Sequence, residues 1–183
     1  MNKLLLTIDF INDIVHPEGK INGPSLMVQQ HNVIEHANRA IDLARRDGSI
    51  IAHVRVGFND HFHECGQHSP IFQHIKNKKA LLLNTWATEF HTSLNVQKDD
   101  HVLTKRRISA YYNSGLESLL KKNHINHITL CGVSTNMAIE STVRELHDRD
   151  YCVTVLAKAC AAENTTTHQH SLINIKKLCQ VRE

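Results

Sequence analysis

A change of pattern within residues 127–142 constrains the fold of this 183-residue chain more than any other feature. Residues 128–131 form a short apolar run of the kind that fits a buried strand. Gly132 interrupts the run, and three residues that favour the N-cap of a helix follow it, namely Ser134, Thr135 and Asn136. From Met137 onwards, apolar residues recur at spacings of four and three, at Ile139, Val143 and Leu146. The pattern predicts a strand that passes through a tight turn directly into a helix.

This arrangement directs backbone N–H groups and the positive end of a helix dipole towards one point above the edge of the sheet. Such a point can bind an anion or stabilise an oxyanion. An ordinary strand-to-helix connection has the same pattern, so the turn alone leaves both interpretations open.

Strands and helices alternate along the rest of the chain. Strands are predicted at residues 4–9, 49–56, 102–104, 128–131 and 152–156, with a short sixth strand at 179–182. Helices are predicted at residues 28–46, at 114–122, after 137 and from 164 or 165 to about 178. Residues 57–85 have weak periodicity. The alternation predicts an α/β fold with a parallel sheet covered on both faces, in a single domain spanning residues 1–183.

Composition excludes some functions and favours a cytoplasmic location. The net charge of +3 is too small to indicate a nucleic-acid partner, and the longest basic run is three residues, Lys105 to Arg107. No apolar run is long enough to span a membrane, and residues 1–10 lack the features of a signal peptide. The five cysteines form no CxxC pair, which favours reduced thiols.

Three positions fall at the carboxyl ends of predicted strands, where parallel sheets bind ligands. Asp9 ends the first strand, Lys105 follows the third, and residues 134–138 follow the fourth. An acid and a lysine close together at a partly buried edge shift each other's pKa and can move protons. Taken singly, Asp9 also fits a turn or cap aspartate and Lys105 a solvated surface lysine.

These three motifs, in this order, resemble those of the isochorismatase-like hydrolases. They read Leu-Leu-Leu-Thr-Ile-Asp9, then Lys105-Arg-Arg-Ile-Ser-Ala110, then Gly132-Val-Ser-Thr-Asn-Met-Ala138, and the resemblance extends from residue 4 to about 178. It implies a three-layer α/β/α sandwich with six parallel strands and a homo-oligomer. It also implies that Asp9 and Lys105 are catalytic, that a cis peptide lies near Val133-Ser134, and that the N–H groups of Ser134 and Ala138 form an oxyanion site.

Ala138 departs from the family pattern, because most members carry a nucleophilic cysteine at that position. Alanine cannot form a thioester intermediate, and Cys131 cannot replace the nucleophile because it lies in the apolar strand. Either an engineered change has removed the cysteine, or the chain naturally lacks it, as true isochorismate hydrolases do. The residues around the turn differ from those of isochorismate hydrolases. The sequence thus predicts a hydrolase of a small amide, imide or enol-ether substrate, or else a binding protein that has lost the chemistry, and it predicts no cofactor.

Histidines and a cysteine cluster after the second strand, at His61, His63, Cys65, His68 and His74. Related nicotinamidases bind a metal through an Asp-x-His pattern near this place. Here Phe62 stands two residues after Asp60, so the pattern is not met, and we interpret the segment as a polar lid without a metal. Several aromatic residues are predicted either to line a substrate pocket under this lid or to belong to the core: Phe58, Phe62, Trp86, Phe90 and Tyr111.

Overall fold

The computed structural model describes residues 2–183 and contains a sheet of six parallel strands in the order β3-β2-β1-β4-β5-β6. The strands are β1 (Asn2–Ile8), β2 (Ile50–Val56), β3 (His101–Lys105), β4 (Ile125–Val133), β5 (Cys152–Ala161) and β6 (Gln180–Arg182). The expected six-stranded parallel sheet, including its short last strand, is therefore confirmed.

Helices connect the strands. They are α1 (Asn12–Val15), α2 (Ser25–Gln30), α3 (Val33–Arg46), α4 (Pro70–Asn77), α5 (Leu116–Lys122), α6 (Glu140–His147) and α7 (Thr165–Ile175). A 3-10 turn, Trp86–Thr88, precedes β3. Asn164 and Thr165 are both N-cap types, and Asn164 caps the last helix, because its side chain accepts the N–H of Thr167 at 2.8 Å.

Helical layers cover both faces of the sheet. All five residues from Leu4 to Ile8 in β1 are buried, although consecutive side chains of a strand point to opposite faces. The helix α3 packs on β1, β2 and β5, whereas α5 packs on β4 and α6 on β5. The core therefore has two halves, and the central strands contribute side chains to both.

Two local predictions were wrong. A single helix over residues 28–46 is in fact two, α2 and α3, because Asn32 adopts a left-handed conformation with φ +50°. The sequence Ser114-Gly-Leu-Glu117 predicts a capping box for the helix at 114–122, but the box does not form, since Gly115, with φ +90°, occupies the N-cap of α5. The weakly periodic segment after β2 is partly helical, since it contains α4.

Gly132 brings β4 close to the centre of the sheet. Its φ is +138°, and a Cβ atom at this position would lie 2.2 Å from the carbonyl oxygen of Ile8 in the neighbouring strand. Only glycine fits such a backbone approach, so the break in the apolar run is a requirement of packing as well as of the turn. Within residues 2–183, none of the helices has the length and apolar character needed to cross a lipid bilayer.

Candidate active site

Asp9 occupies the first position after β1, and its backbone has the uncommon value φ +60°. The residue is 3% exposed, and its Oδ1 accepts the N–H of Val56 at 2.8 Å. Burial raises the pKa of the Asp9 carboxyl above its ordinary value, and the charge of Lys105 together with the hydrogen bonds from Lys105 and Val56 offsets part of that rise. An acid in a strained backbone conformation, buried at a sheet edge, is a candidate for proton transfer.

Lys105 ends β3 and is 2% exposed. Its ammonium group lies 2.8 Å from Oδ2 of Asp9, which confirms the predicted proximity of the two charges. It also donates to the carbonyl oxygens of Arg107 and Ile108, each at 3.1 Å. An ammonium has three N–H donors, and these three acceptors use all of them. Lys105 is therefore placed to hold the carboxylate of Asp9.

The turn after β4 is wound more widely than an α-helix. Residues Thr135–Ile139 form a π-helical turn, and the carbonyl oxygen of Ser134 accepts the N–H groups of Met137 at 3.1 Å and Ile139 at 3.2 Å. The peptide bond between Val133 and Ser134 is cis, as the resemblance implied. Ala138 lies inside this turn and is 4% exposed.

These residues meet at one cavity of about 350 Å³. Asp9, Lys105, Ser134 and Ala138 all line it. Further walls come from the loop at residues 20–24, from one side of α4 and from residues that follow β3 and β5. The structure thus brings together the acid, the lysine and the turn that the sequence placed at one sheet edge.

The aromatic residues predicted to line a pocket or to belong to the core do not line this cavity. For Phe58 and Tyr111 the second alternative, membership of the core, is confirmed. Phe58 is fully buried and packs edge-on against Phe72, with the ring centroids 6.0 Å apart. Trp86 is 44% exposed and lies against the ring of His16. Tyr111 is buried beneath Arg149, whose guanidinium carbon lies 4.2 Å from the centroid of the tyrosine ring. Aromatic residues gain stability from burial at many places, so their residue type alone does not identify a pocket.

The apolar wall that sequence reasoning missed comes from α4. Ile71, Phe72 and Ile75 face the cavity from this helix. A signal for the helix was present, because Ser69 is an N-cap type and Pro70 occupies the first helical position.

Asp13 is a second residue that the sequence analysis did not single out. Its carboxylate accepts the N–H groups of Leu81 at 2.7 Å and Lys20 at 3.2 Å, and thereby connects two walls of the cavity.

The histidine-rich segment does not fit a metal. His61 and Asp60 are both largely exposed and lie 3.6 Å apart, while the ring of His61 stacks near that of His63. Cys65 is buried and donates to the carbonyl oxygen of Phe72. Across residues 2–183, no three His, Cys, Asp or Glu side chains are grouped closely enough to hold a metal ion.

Comparisons with known proteins identify relatives of the chain. Residues 3–182 match the isochorismatase domain. The ureidoacrylate amidohydrolase RutB of Klebsiella pneumoniae is 30% identical over 157 aligned positions, and the match covers 79% of this chain and 66% of RutB, slightly less than two thirds of its length. The uncharacterized isochorismatase family protein YecD of Escherichia coli O157:H7 is 31% identical over 156 aligned positions, and the match covers 83% of this chain and 81% of YecD.

Solved structures share the fold. An isochorismatase family protein from Desulfovibrio vulgaris superposes with a TM-score of 0.87 at 18% identity, over 98% of this chain and 93% of that protein. With the match to the isochorismatase domain over nearly the whole chain and the same α/β fold, the protein belongs to the isochorismatase-like hydrolase family.

Proposed function

We propose that the protein is a hydrolase that cleaves a small amide, imide or enol-ether bond in the cavity at the carboxyl edge of the sheet, without an organic cofactor. The observation that carries the proposal is the buried carboxylate of Asp9, held 2.8 Å from the ammonium of Lys105 in the wall of that cavity. The similarity to RutB, whose name describes an amidohydrolase, supports an amide as the first class of substrate to test.

Hydrolysis of an amide at this site begins with water, because residue 138 is an alanine. The oxygen of the water molecule attacks the carbonyl carbon of the substrate while the carboxylate of Asp9 takes a proton from that water. The backbone N–H groups of Ser134 and Ala138 stabilise the negative charge that develops on the carbonyl oxygen. Asp9 then returns the proton to the leaving nitrogen, the C–N bond breaks, and the carboxylic acid and amine are released. Opening of an imide follows the same steps.

Hydrolysis of an enol ether uses the opposite protonation state of Asp9. The neutral carboxyl group protonates the terminal carbon of the double bond, which leaves a cation stabilised by the ether oxygen. Water adds to that cation and gives up a proton to the Asp9 carboxylate, which restores the neutral acid, and the resulting hemiketal separates into a carbonyl compound and an alcohol. Burial favours this route as well, because it raises the pKa of Asp9 and so increases the fraction of the neutral acid.

No thiol is available in the cavity for a covalent route. Cys131 is fully buried in β4, and burial raises the pKa of its thiol well above the ordinary value. Lys105 acts in both routes as a positioning residue, since its three donors hold Asp9 and the carbonyl groups of the following segment.

Asp9→Asn tests the proposal. A panel of small amides, imides and vinyl ethers is offered to the purified protein, and release of ammonia, amine or alcohol is measured. We expect turnover of at least one class and its loss in Asp9→Asn by about 10²-fold or more, the usual contribution of a general acid or base. Asp47→Asn is the matched control, because Asp47 is half-exposed and lies outside the cavity. Equal activity of Asp9→Asn and the wild type would refute the proposal.

A second candidate function is binding of a small molecule without turnover. Ala138 favours it, since it lacks the nucleophile that most family members carry. This alternative predicts saturable binding in the cavity, no turnover of any panel member, and no gain of activity when a cysteine is introduced at position 138. A cytoplasmic location is part of both proposals, because all five cysteines are free thiols.

A further inference from the structure

The charged side chains that line the cavity are out of balance. Lys105 and Asp9 neutralise each other. The remaining lining residues include three cationic side chains, Lys20, Lys78 and Arg107, and one carboxylate, Glu163. Glu163 is exposed, so solvent screens its charge. Lys20 and Lys78 are exposed and screened in the same way, so the half-buried Arg107 is the least screened of these charges in the cavity.

Arg107 differs from the two lysines because its position is fixed. Its Nη1 donates to the carbonyl oxygens of Glu64 and Arg106, each at 2.7 Å. The guanidinium carbon lies 5.8 Å from the centroid of the Phe72 ring, which is also part of the cavity wall. Two hydrogen bonds and an aromatic face therefore hold a half-buried guanidinium group in the cavity.

The charge of Arg107 lacks a carboxylate partner among residues 2–183. The neighbouring Arg106 shows the contrast, because its Nε lies 3.6 Å from Oε1 of Glu64 and it stands outside the cavity lining. With Nη1 engaged, the Nε and Nη2 groups of Arg107 still present N–H donors on adjacent edges of one plane. This fork matches the two oxygens of a carboxylate.

The lysines contribute in another way. The ammonium of Lys20 donates to the carbonyl oxygen of Lys79, and that of Lys78 donates to the carbonyl oxygen of Lys20, each at 2.9 Å. These bonds join the loop at residues 20–24 to the end of α4, and both side chains are exposed. Their charges attract an anion into the cavity at low ionic strength, but they are screened in salt.

We propose that the substrate carries a carboxylate group besides its scissile bond, and that Arg107 binds this carboxylate. The inference rests on the proposed function for the identity of the reacting bond. The binding position lies in the same cavity as the reaction centre, because Arg107, Lys105 and Asp9 all line it. An anion held by Arg107 places the rest of a small molecule beside Asp9 and the turn at Ala138. Arg107 is thus the specificity-determining residue of the cavity.

Two probes that differ only in charge test the inference. Succinamate carries one amide and one carboxylate, whereas succinamide has an amide at both ends. Binding of each to the wild type is measured by titration calorimetry. We expect succinamate to bind about tenfold or more tightly than succinamide, a difference that corresponds to ~1.4 kcal/mol. The preference should decrease with added salt, since part of the attraction comes from the exposed lysines.

Variants assign the preference to one residue. Arg107→Gln should reduce the affinity for succinamate about tenfold and leave that for succinamide unchanged. Arg107→Lys keeps the charge and the aliphatic stem but loses the fork, so it should weaken succinamate binding by a smaller factor. Arg106→Gln is the matched control: it removes the same charge one position away, and we expect both affinities to stay within about twofold of the wild type.

Three results would overturn the inference: equal binding of the two probes to the wild type, no binding of succinamate at ~10 mM, or an equal effect of Arg107→Gln and Arg106→Gln. Binding requires no turnover, so failure of the proposed function is recognised separately. If succinamate binds through Arg107 but no amide, imide or enol ether is cleaved, the hydrolase proposal fails and the anion site stands. If amides are cleaved without any preference for a carboxylate, the hydrolase proposal stands and the anion site fails.

Discussion

The ammonium group of Lys105 lies 2.8 Å from the carboxylate of Asp9, although the two residues end strands that are not neighbours in the sheet. The strand between them, β2, contributes the N–H of Val56 to the other oxygen of Asp9. Both oxygens of the carboxylate are therefore held, one by a charge and one by the backbone. This arrangement fixes the acid in a position where it is 3% exposed and still lines the cavity.

Removal of one member of this pair should destabilise the fold. Lys105→Met leaves the buried carboxylate of Asp9 without its counter-charge, and we expect a loss of about 3–5 kcal/mol in the free energy of unfolding, measured by urea denaturation. The double variant Asp9→Asn, Lys105→Met should recover part of this loss, since no unpaired charge remains. Lys121→Met removes an exposed partner of Glu117 and should change stability far less. If Lys105→Met proves as mild as this control, the pair is not buried as described.

The pH dependence of activity should reveal which route Asp9 takes. Burial raises the pKa of its carboxyl above the ordinary value of 3.8. In amide or imide hydrolysis the carboxylate is the active form, so kcat/KM should rise as the pH increases through the raised pKa. In enol-ether hydrolysis the neutral acid is active, so kcat/KM should fall over the same interval. A profile that shows no step at any pH above 3.8 at which the protein stays folded would exclude Asp9 from both roles.

A cysteine at position 138 should be reactive. Ala138 lies in the first turn after β4, in the wall of the cavity that also contains Lys105. The helix N-terminus and this positive charge favour a thiolate over the reference thiol, whose pKa is about 8.5. We expect Ala138→Cys to be alkylated faster than Cys131 at neutral pH, measured for each peptide by mass spectrometry. Equal or slower labelling at 138 would mean that this residue does not face the site.

The same variant separates the candidate reactions. If the cavity is built for amides, Ala138→Cys should raise amide turnover, because the thiol supplies a nucleophile that Asp9 can deprotonate. If the substrate is an enol ether, activity should stay flat or fall, because the sulfur occupies substrate space. A rise in enol-ether turnover would contradict both expectations.

A buried network at the other side of β2 should govern stability in acid. His53 is fully buried and contacts both Thr7 and Asp100, while Arg45 forms two hydrogen bonds to the Asp100 carboxylate at 2.9 and 3.0 Å. Burial alone would raise the pKa of Asp100, but hydrogen bonds from Arg45, the Gln97 N–H and His53 lower it to about 2. Because the pKa of Asp100 is lower in the folded protein than in the unfolded chain, its carboxylate stabilises the fold fully when the pH is above the unfolded pKa of 3.8. This stabilisation is lost as the pH falls through the folded pKa of about 2.

The expected contribution of Asp100 is roughly 2 kcal/mol at neutral pH. The difference in unfolding free energy between the wild type and Asp100→Asn should therefore shrink as the pH falls from about 4 to about 2. Urea denaturation at a series of pH values measures it. Asp60→Asn is the control for the loss of one carboxylate, because Asp60 is exposed and lies outside this network. A difference that persists unchanged below pH 2 would contradict the assignment.

The protein should assemble into a homo-oligomer, as the resemblance to the family implied. The apolar side chains of Trp86 and Leu26 are 44% and 62% exposed, and burial in a symmetric contact would remove them from water. Sedimentation velocity at micromolar concentration measures the mass directly. A stable species of 20.8 kDa would show that the chain is a monomer.

The sequence by itself determined the order of the six strands and the edge of the sheet at which Asp9, Lys105 and Ala138 lie. It could do so because both pieces of information are local: apolar runs mark buried strands, and parallel strands bring their carboxyl ends to one edge. The turn at Gly132 is also local information, since a glycine between a strand pattern and an N-cap sequence predicts a turn without reference to distant residues.

Only the tertiary structure decided what surrounds that edge. The wall formed by Phe72 comes from α4, which lies in a segment of weak periodicity, and its position depends on contacts with distant residues such as Phe58. In the sequence, Arg107 is one of three consecutive basic residues and nothing distinguishes it. In the folded protein its side chain lines the cavity, and it has no carboxylate partner among residues 2–183. The surroundings of Trp86 and Tyr111 also depended on the tertiary structure: Tyr111 is in the core and Trp86 is exposed, although both are aromatic.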